Sequence, residues 1–246
     1  MELSLLTDVG QRRTSNQDYV SHFENKKGVT LVVLADGMGG HRAGNVASEI
    51  TVLDLGRLWS KTHLIELVDI RDWLINVVEE ENQKIHDMGR QEEYRGMGTT
   101  VEAVAIVDNN IIFAHVGDSR IGLVRGSDYH LLTSDHSLVN ALVKAGEITE
   151  EEAEVHPQKN IITQSIGQAN PVEPDLATHV LEAGDYLVIN SDGLTNMISK
   201  EDITTILAKD MSLDDKSRAL VALANERGGL DNISVALVHF ESEAST

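Results

Sequence analysis

The chain has 246 residues, enough for one sizeable core, and 41% hydrophobic content with three prolines is the composition of a folded globule. Twenty basic against 40 acidic side chains give a net charge of −20, which argues against unaided binding to nucleic acid or an anionic membrane. No cysteine is present, so disulfides, thiolate metal sites and a cysteine nucleophile are excluded.

Met1 to Asp8 lacks a basic region followed by a long apolar segment, and no apolar run reaches the roughly 18 residues needed to cross a bilayer. A soluble, cytoplasmic protein is expected. With no repeats or low-complexity linkers, one domain over residues 1–240 is expected, with 241–246 as a frayed tail. Without cysteines or heptads, a monomer is the default.

Leu3 to Thr7 reads as a first strand, followed by a polar loop, Gly10 to Asp18, that carries Arg12 and Arg13. Tyr19 to Phe23 and Val29 to Ala35 are strand-like runs joined by Glu24-Asn25-Lys26-Lys27-Gly28, a hairpin connection. Folding back in this way sets Asp18, at the start of one strand, beside Asp36, at the exit of the other. Asp36-Gly37-Met38-Gly39-Gly40-His41 follows, an acidic residue before small residues that leave backbone carbonyls reachable, suited to a hard divalent cation. A phosphate-binding glycine loop fits poorly: no Gly-Lys-Ser/Thr follows, and the spacing fails G-x-G-x-x-G.

Helical spacing of apolar residues predicts one helix over Asn45 to Trp59 and another over about Asp69 to Met88, with Trp73 in the core rather than presented to a ligand. After Gly96-Met97-Gly98-Thr99-Thr100, the runs Val101–Val107, Ile111–Val116, Ile121–Arg125 and Tyr129–Leu132 read as an antiparallel meander. Gly117-Asp118-Ser119-Arg120 places another Asp at a strand exit. Patterning weakens from His136 to about Gly167, where a short helix around Leu138, a Gly146 stop and a capping box at Thr149-Glu150-Glu151-Glu152 suggest a surface subdomain. A strand from Asp185 to Asn190 then runs into Ser191-Asp192-Gly193-Leu194. Two helices follow, with possible capping boxes at Ser199–Asp202 and Ser212–Asp215, and Asp231-Asn232 leads into a last strand, Ile233 to Phe240. Antiparallel pairing of the strands after Asp185 and after Asp231 would bring Asp192 and Asp231 together.

Five aspartates, Asp18, Asp36, Asp118, Asp192 and Asp231, thus stand at strand ends that could share one edge. One alone is more often a turn or a cap. Together they need cations, and an all-oxygen set selects Mg2+ or Mn2+ over zinc, for which no paired histidine motif is present.

The ordered blocks Gly10-x-x-Arg13-x-x-Asn16-Gln17-Asp18, Asp36-Gly37-Met38-Gly39-Gly40-His41, Gly96-Met97-Gly98-Thr99-Thr100, Gly117-Asp118-Ser119-Arg120, Ser191-Asp192-Gly193-Leu194 and Asp231-Asn232-Ile233-Ser234 resemble the metal-dependent serine/threonine protein phosphatases, the type 2C or PPM family, in their compact bacterial form. The resemblance spans nearly the whole chain. It implies an α+β fold, a four-layer α-β-β-α sandwich of two antiparallel sheets, with a flap at about 138–167 that meets the protein substrate.

By the same resemblance, Asp36 bridges two ions, the Gly37 carbonyl binds the second, Asp192 and Asp231 bind the first, and Asp118 with Asp192 holds a third. Asp18 acts mostly through metal-bound water. Arg13 grips the phosphoryl oxygens with bidentate donors, its bland alternative being a solvated loop arginine. Solvent activated by Mn2+ or Mg2+ attacks phosphorus, so no protein nucleophile is required. Phosphorylated proteins are the implied substrates and a bacterial Ser/Thr kinase the implied opponent.

Two positions depart from the family pattern. Gln17 stands where Glu is usual, which could lower affinity for the second ion. Met38 stands where eukaryotic relatives carry a His proposed as general acid, so protonation of the leaving oxygen falls to His41 or to a metal-bound water, with a structural role for His41 in its own loop as the alternative. From another functional class, a non-catalytic phosphoprotein-binding module on the same fold is the competing reading, and the complete set of Asp36, Asp192 and Asp231 argues against it. A calcium store would need EF-hand loops, which are absent.

Overall fold

The computed structural model describes residues 1–39 and 43–241, so His41 and the tail from 242 lie outside the described residues. One sheet has five strands, in the order β1 (Glu2–Asp8), β11 (Ile233–Phe240), β10 (Asp185–Asn190), β7 (Arg120–Arg125) and β8 (Asp128–Leu131). The other runs β2 (Asp18–Glu24), β3 (Thr30–Met38), β5 (Val101–Val107), β6 (Asn110–Val116) and β9 (Asp175–Val180), with the two-residue β4 (Gly98–Thr99) added at the end of β3. All the named strand pairs are antiparallel.

Side-chain alternation builds four layers from these strands. On β3, Val32 and Leu34 face inward and meet Ile121, Leu123, Leu187 and Ile189 of the opposite sheet. Leu31, Val33 and Ala35 face outward, beneath α1 (Ala43–Trp59) and α2 (Leu67–Gly89). The five-stranded sheet is covered in the same way: Val188, Val235 and Leu237 point toward α5 (Asp192–Thr195), α6 (Lys200–Leu207) and α7 (Leu213–Glu226). A strand buried on both faces reads as a continuous apolar run, which is why Leu31 to Ala35 shows no alternation in sequence. The expected α-β-β-α sandwich is the fold observed.

Local chemistry sets the helix ends. Ser199 and Asp202 form the reciprocal capping box expected at α6, whereas at α7 only the Ser212 half forms, because Asp215 accepts from the Ser212 hydroxyl instead of its backbone N–H. Trp73 is half-buried and packs at 5.0 Å against buried Trp59, at the margin of the core rather than inside it.

The meander is a correction. β5 and β6 do pair, but β6 and β7 belong to different sheets, and the chain crosses between them at Gly117-Asp118-Ser119. The next strand beside β6 is β9, which sequence patterning missed. Between them, residues 138–167 carry two short helices, α3 (Leu138–Lys144) and α4 (Glu150–Glu154), the second with the expected Thr149–Glu152 capping box.

Candidate metal centre

The crossing at Asp118 brings three carboxylates of the inter-sheet rim together with two from the neighbouring sheet. Asp18 and Asp36 face one another in register across the β2–β3 pair. Asp192 opens α5 directly after β10, and Asp231 sits just before β11, which pairs with β10. Gly193 lies so close to the Asn232 carbonyl that no larger residue fits, and this close approach seats Asp192 against the Asp231 turn. Gly37 is likewise hemmed in by the carbonyls of Gly44 and Gln17, and its N–H donates to Gln17 O at 3.0 Å. Asp18 is buried; the other four are half-buried, at a rim that solvent reaches.

Residues beside the aspartates hold them in place, and sequence reasoning did not single them out. Ser191 Oγ donates to Asp18 Oδ2 at 2.7 Å and accepts the Ser234 N–H at 3.0 Å, tying the two sheets at the rim. Thr100 Oγ1 accepts the Asp36 N–H at 2.9 Å and lies 2.9 Å from Ser119 Oγ, while Thr99 Oγ1 donates to the Asp36 carbonyl at 2.8 Å. Buried Asn232 donates to Val9 O and Ser15 O, both at 2.9 Å, and accepts the Gln17 N–H at 2.8 Å, which fastens the loop carrying Arg13 to the Asp231 turn. The signal was available: each of these residues lies inside one of the six sequence blocks.

Electrostatically, the rim is stressed. Burial pushes Asp18 up to about 7 against hydrogen bonds from Ser191 and Ser234, and the charges of Asp192 and Asp231 add to the shift. Desolvation, then the charges of Asp18, Asp192, Asp118 and Asp231, hold Asp36 well above the ordinary carboxylate range. Burial raises Asp118 to about 7, with Asp192 contributing, and Asp192 to about 6, with Asp231 contributing. Asp18, Asp36, Asp118 and Asp192 therefore each feel the charge of at least one other carboxylate of the set.

The donors fit hard divalent cations. Asp18 Oδ1 is buried with no hydrogen-bond partner, so one oxygen of the set is aimed into the rim unsatisfied. All five side chains offer oxygen, the donor type of Mg2+ and Mn2+. Among the described residues, no three of the five bring oxygens within 4.8 Å of one another. Such spacing suits ions that keep several waters rather than an all-protein cage.

Two arginines stand at or near the rim. Arg13, half exposed, donates to Asp231 Oδ2 at 2.7 Å, and Arg120 donates to Asp135 at 3.0 and 2.7 Å. Leading away from Asp118 and Asp192, a cleft of about 730 Å³ runs between the body and the 138–160 segment, with Asn140, Glu150, Lys159 and Asn196 on its walls.

Residues 10–226 match the protein phosphatase 2C family. The solved structure of the Streptococcus agalactiae serine/threonine phosphatase superposes with a TM-score of 0.97 at 69% identity, covering 98% of this chain and 99% of that one. Protein phosphatase PhpP of Streptococcus pneumoniae is 62% identical over 243 residues, 99% of each chain. The catalytic domain of the serine/threonine protein phosphatase PstP, solved in complex with two manganese ions, aligns at 32% identity with a TM-score of 0.83 over 96% of each chain. The chain belongs to the protein phosphatase 2C family. It is an enzyme, a protein phosphatase, as the sequence blocks implied.

Proposed function

We propose that the chain hydrolyses phosphoserine and phosphothreonine of proteins with the help of Mn2+ or Mg2+, opposing a Ser/Thr kinase, and that it works as a cytoplasmic monomer. The observation that carries this reading is the convergence of five carboxylates, one with an unsatisfied buried oxygen, on a rim where, among the described residues, Arg13 pairs with Asp231 alone. Names of similar proteins, the serine/threonine phosphatase of Streptococcus agalactiae among them, support the substrate class. No helix among the described residues is long and apolar enough to cross a membrane.

Within the site, Asp36, Asp192 and Asp231 would hold the first ion, Asp36 with the Gly37 carbonyl the second, and Asp118 with Asp192 a third. When bound, such ions acidify a coordinated water and neutralise charge on the phosphoryl group. Asp18, fixed by Ser191, orients solvent from its free oxygen. Arg13 already lies at the rim and needs only to leave Asp231 to present two parallel N–H groups to the phosphoryl oxygens. His41 is the protein's own candidate to protonate the leaving oxygen. The cleft beside residues 138–167 would take the polypeptide on either side of the phosphorylated residue.

The test is release of phosphate from a phosphothreonine peptide by the purified chain with Mn2+, then with chelator, beside Asp192→Ala and Asp231→Ala. We expect activity only with the ion and only in the unmodified protein. Full activity in either variant, or in chelator, would overturn the reading.

A further inference from the structure

Across β5 and β6, Glu102 and His115 oppose one another, both fully buried. His115 Nδ1 lies 2.6 Å from Glu102 Oε1 and its Nε2 lies 3.2 Å from the Ser134 carbonyl, so both ring nitrogens face oxygens to which a charged imidazole can donate. Burial opposes that charge, but Glu102 and the two hydrogen bonds outweigh it and push the pKa up to about 9. Nothing in the reaction uses this pair. Its position suggests a support, because the His136 ring rests on the His115 ring with centroids 4.7 Å apart.

His136 stands at the root of the 138–167 segment and contacts both of its ends. The Thr163 N–H donates to the His136 carbonyl at 2.8 Å, Gln164 Nε2 lies 3.1 Å from His136 Nδ1, and Ser137 pairs with Ile162. The same residue grips the turn that carries Asp118. Its N–H donates to the Gly117 carbonyl at 2.7 Å, and the Gly117 N–H donates back to His136 Nδ1 at 3.2 Å. Two N–H donors directed at Nδ1 and the Asp175 carboxylate 3.4 Å from Nε2 fix the tautomer, with the lone pair on Nδ1 and the proton on Nε2. The turn requires glycine at 117, since its φ is 118° and the Thr100 side chain occupies the space a Cβ would need.

We propose that His136 is a positioning residue that locks the root of the 138–167 segment and the Asp118 turn into one unit, mounted on the buried Glu102–His115 pair. This rests on the reading of Asp118 as an ion ligand and of 138–167 as the substrate-facing flap. One side chain then sets the seating of the flap and the aim of the Asp118 carboxylate together. Loss of the Nδ1 acceptor weakens both at once.

Asn and Gln at position 136 separate this role from a general packing one. Asn places its carbonyl oxygen where Nδ1 lies and can still accept the Gly117 N–H; Gln places its polar atoms at the Nε2 position and cannot. For His136→Gln we expect KM for a phosphothreonine peptide and the half-saturating Mn2+ concentration each to rise about 10-fold, with His136→Asn within about twofold of wild type. Hydrogen exchange in chelator should speed up at residues 117–119 and 163 in His136→Gln alone. That second readout needs no enzymatic activity, so it fails only if the clamp is wrong, whereas absence of Mn2+-dependent hydrolysis in the wild-type protein would fault the reading of the site. Equal effects of Asn and Gln, or a fall in kcat with KM, Mn2+ requirement and exchange unchanged, would overturn the proposal.

Discussion

Two populations of aspartate occupy this acidic molecule, and they stand in opposite electrostatic situations. Asp202, on the surface of α6, receives two hydrogen bonds from Arg227 and one from the Ser199 backbone, and these hold its carboxyl below the ordinary range. Asp18 and Asp36, at the rim, are desolvated and face other carboxylates, and are pushed up. The surface group satisfies itself within the chain. Among the described residues, Asp18 and Asp36 are bonded to no arginine or lysine. Acidity as such therefore says little; what marks the site is buried carboxylates, Asp18 and Asp36 above all, that face one another instead of an arginine.

The sharpest way to break the contrast is to neutralise the rim. Asp36→Asn and Asp192→Asn should each lower phosphatase activity by a factor on the order of 10^3 or more, measured on a phosphothreonine peptide with saturating Mn2+. In chelator both variants should melt no lower than the wild-type chain, because a repelled charge has been exchanged for a neutral group of the same shape. Next in size is Arg13: about a 100-fold loss of kcat/KM for Arg13→Ala and about 10-fold for Arg13→Lys, since an ammonium cannot reproduce the parallel donors. Equal losses for the two variants would show that the charge alone matters. Asp18→Asn should weaken Mn2+ binding about 10-fold by calorimetry while its bond from Ser191 survives.

Titration sharpens the same contrast. At the rim the folded state keeps protons that the unfolded chain has released between the ordinary carboxyl value of 3.8 and about 7, so without ions stability falls as pH rises through that window. Asp202 acts with the opposite sign: its contribution is present above the unfolded value and lost as pH falls toward the folded one. In chelator, thermal stability should therefore decline from about pH 4 to about pH 7, and Mn2+ should restore most at the upper end, where the rim carboxyls are already ionised. A melting temperature that climbs over this range in chelator would contradict the assignment of a stressed rim. Smallest of all, Asp215→Ala, which removes an exposed pair with Arg218 at 2.9 Å, should leave activity unchanged and shift melting by no more than about 2 °C.

Much of the site was legible before any coordinates. The Asp18–Asp36 pairing follows from two strand-like runs and a five-residue connection, and the Asp192–Asp231 meeting from antiparallel return of the strands beside them. Sheet membership was not legible, because Ile111–Val116 and Ile121–Arg125 are largely apolar on both faces and a turn of four residues serves a hairpin or a crossing equally well. β9 escaped notice because it is an edge strand with mostly exposed or half-buried side chains, preceded by Pro171 and Pro174. Buried Glu102 and His115 were hidden for a different reason: polar residues within strands normally mark a solvent face, and only their pairing across β5 and β6 shows that they share the interior. His41 was read as a candidate acid and lies outside the described residues.

The most direct measurement is calorimetric titration of the chelator-treated chain with Mn2+, repeated in two buffers of different ionisation enthalpy and repeated again with Asp36→Asn. We expect about two or more ions per chain, bound with release of protons from the rim carboxyls, and the loss of at least one ion in the variant. No uptake of Mn2+ by the wild-type chain, or the same stoichiometry and proton release when Asp36 is replaced, would contradict the proposal that these aspartates are gathered to hold catalytic ions.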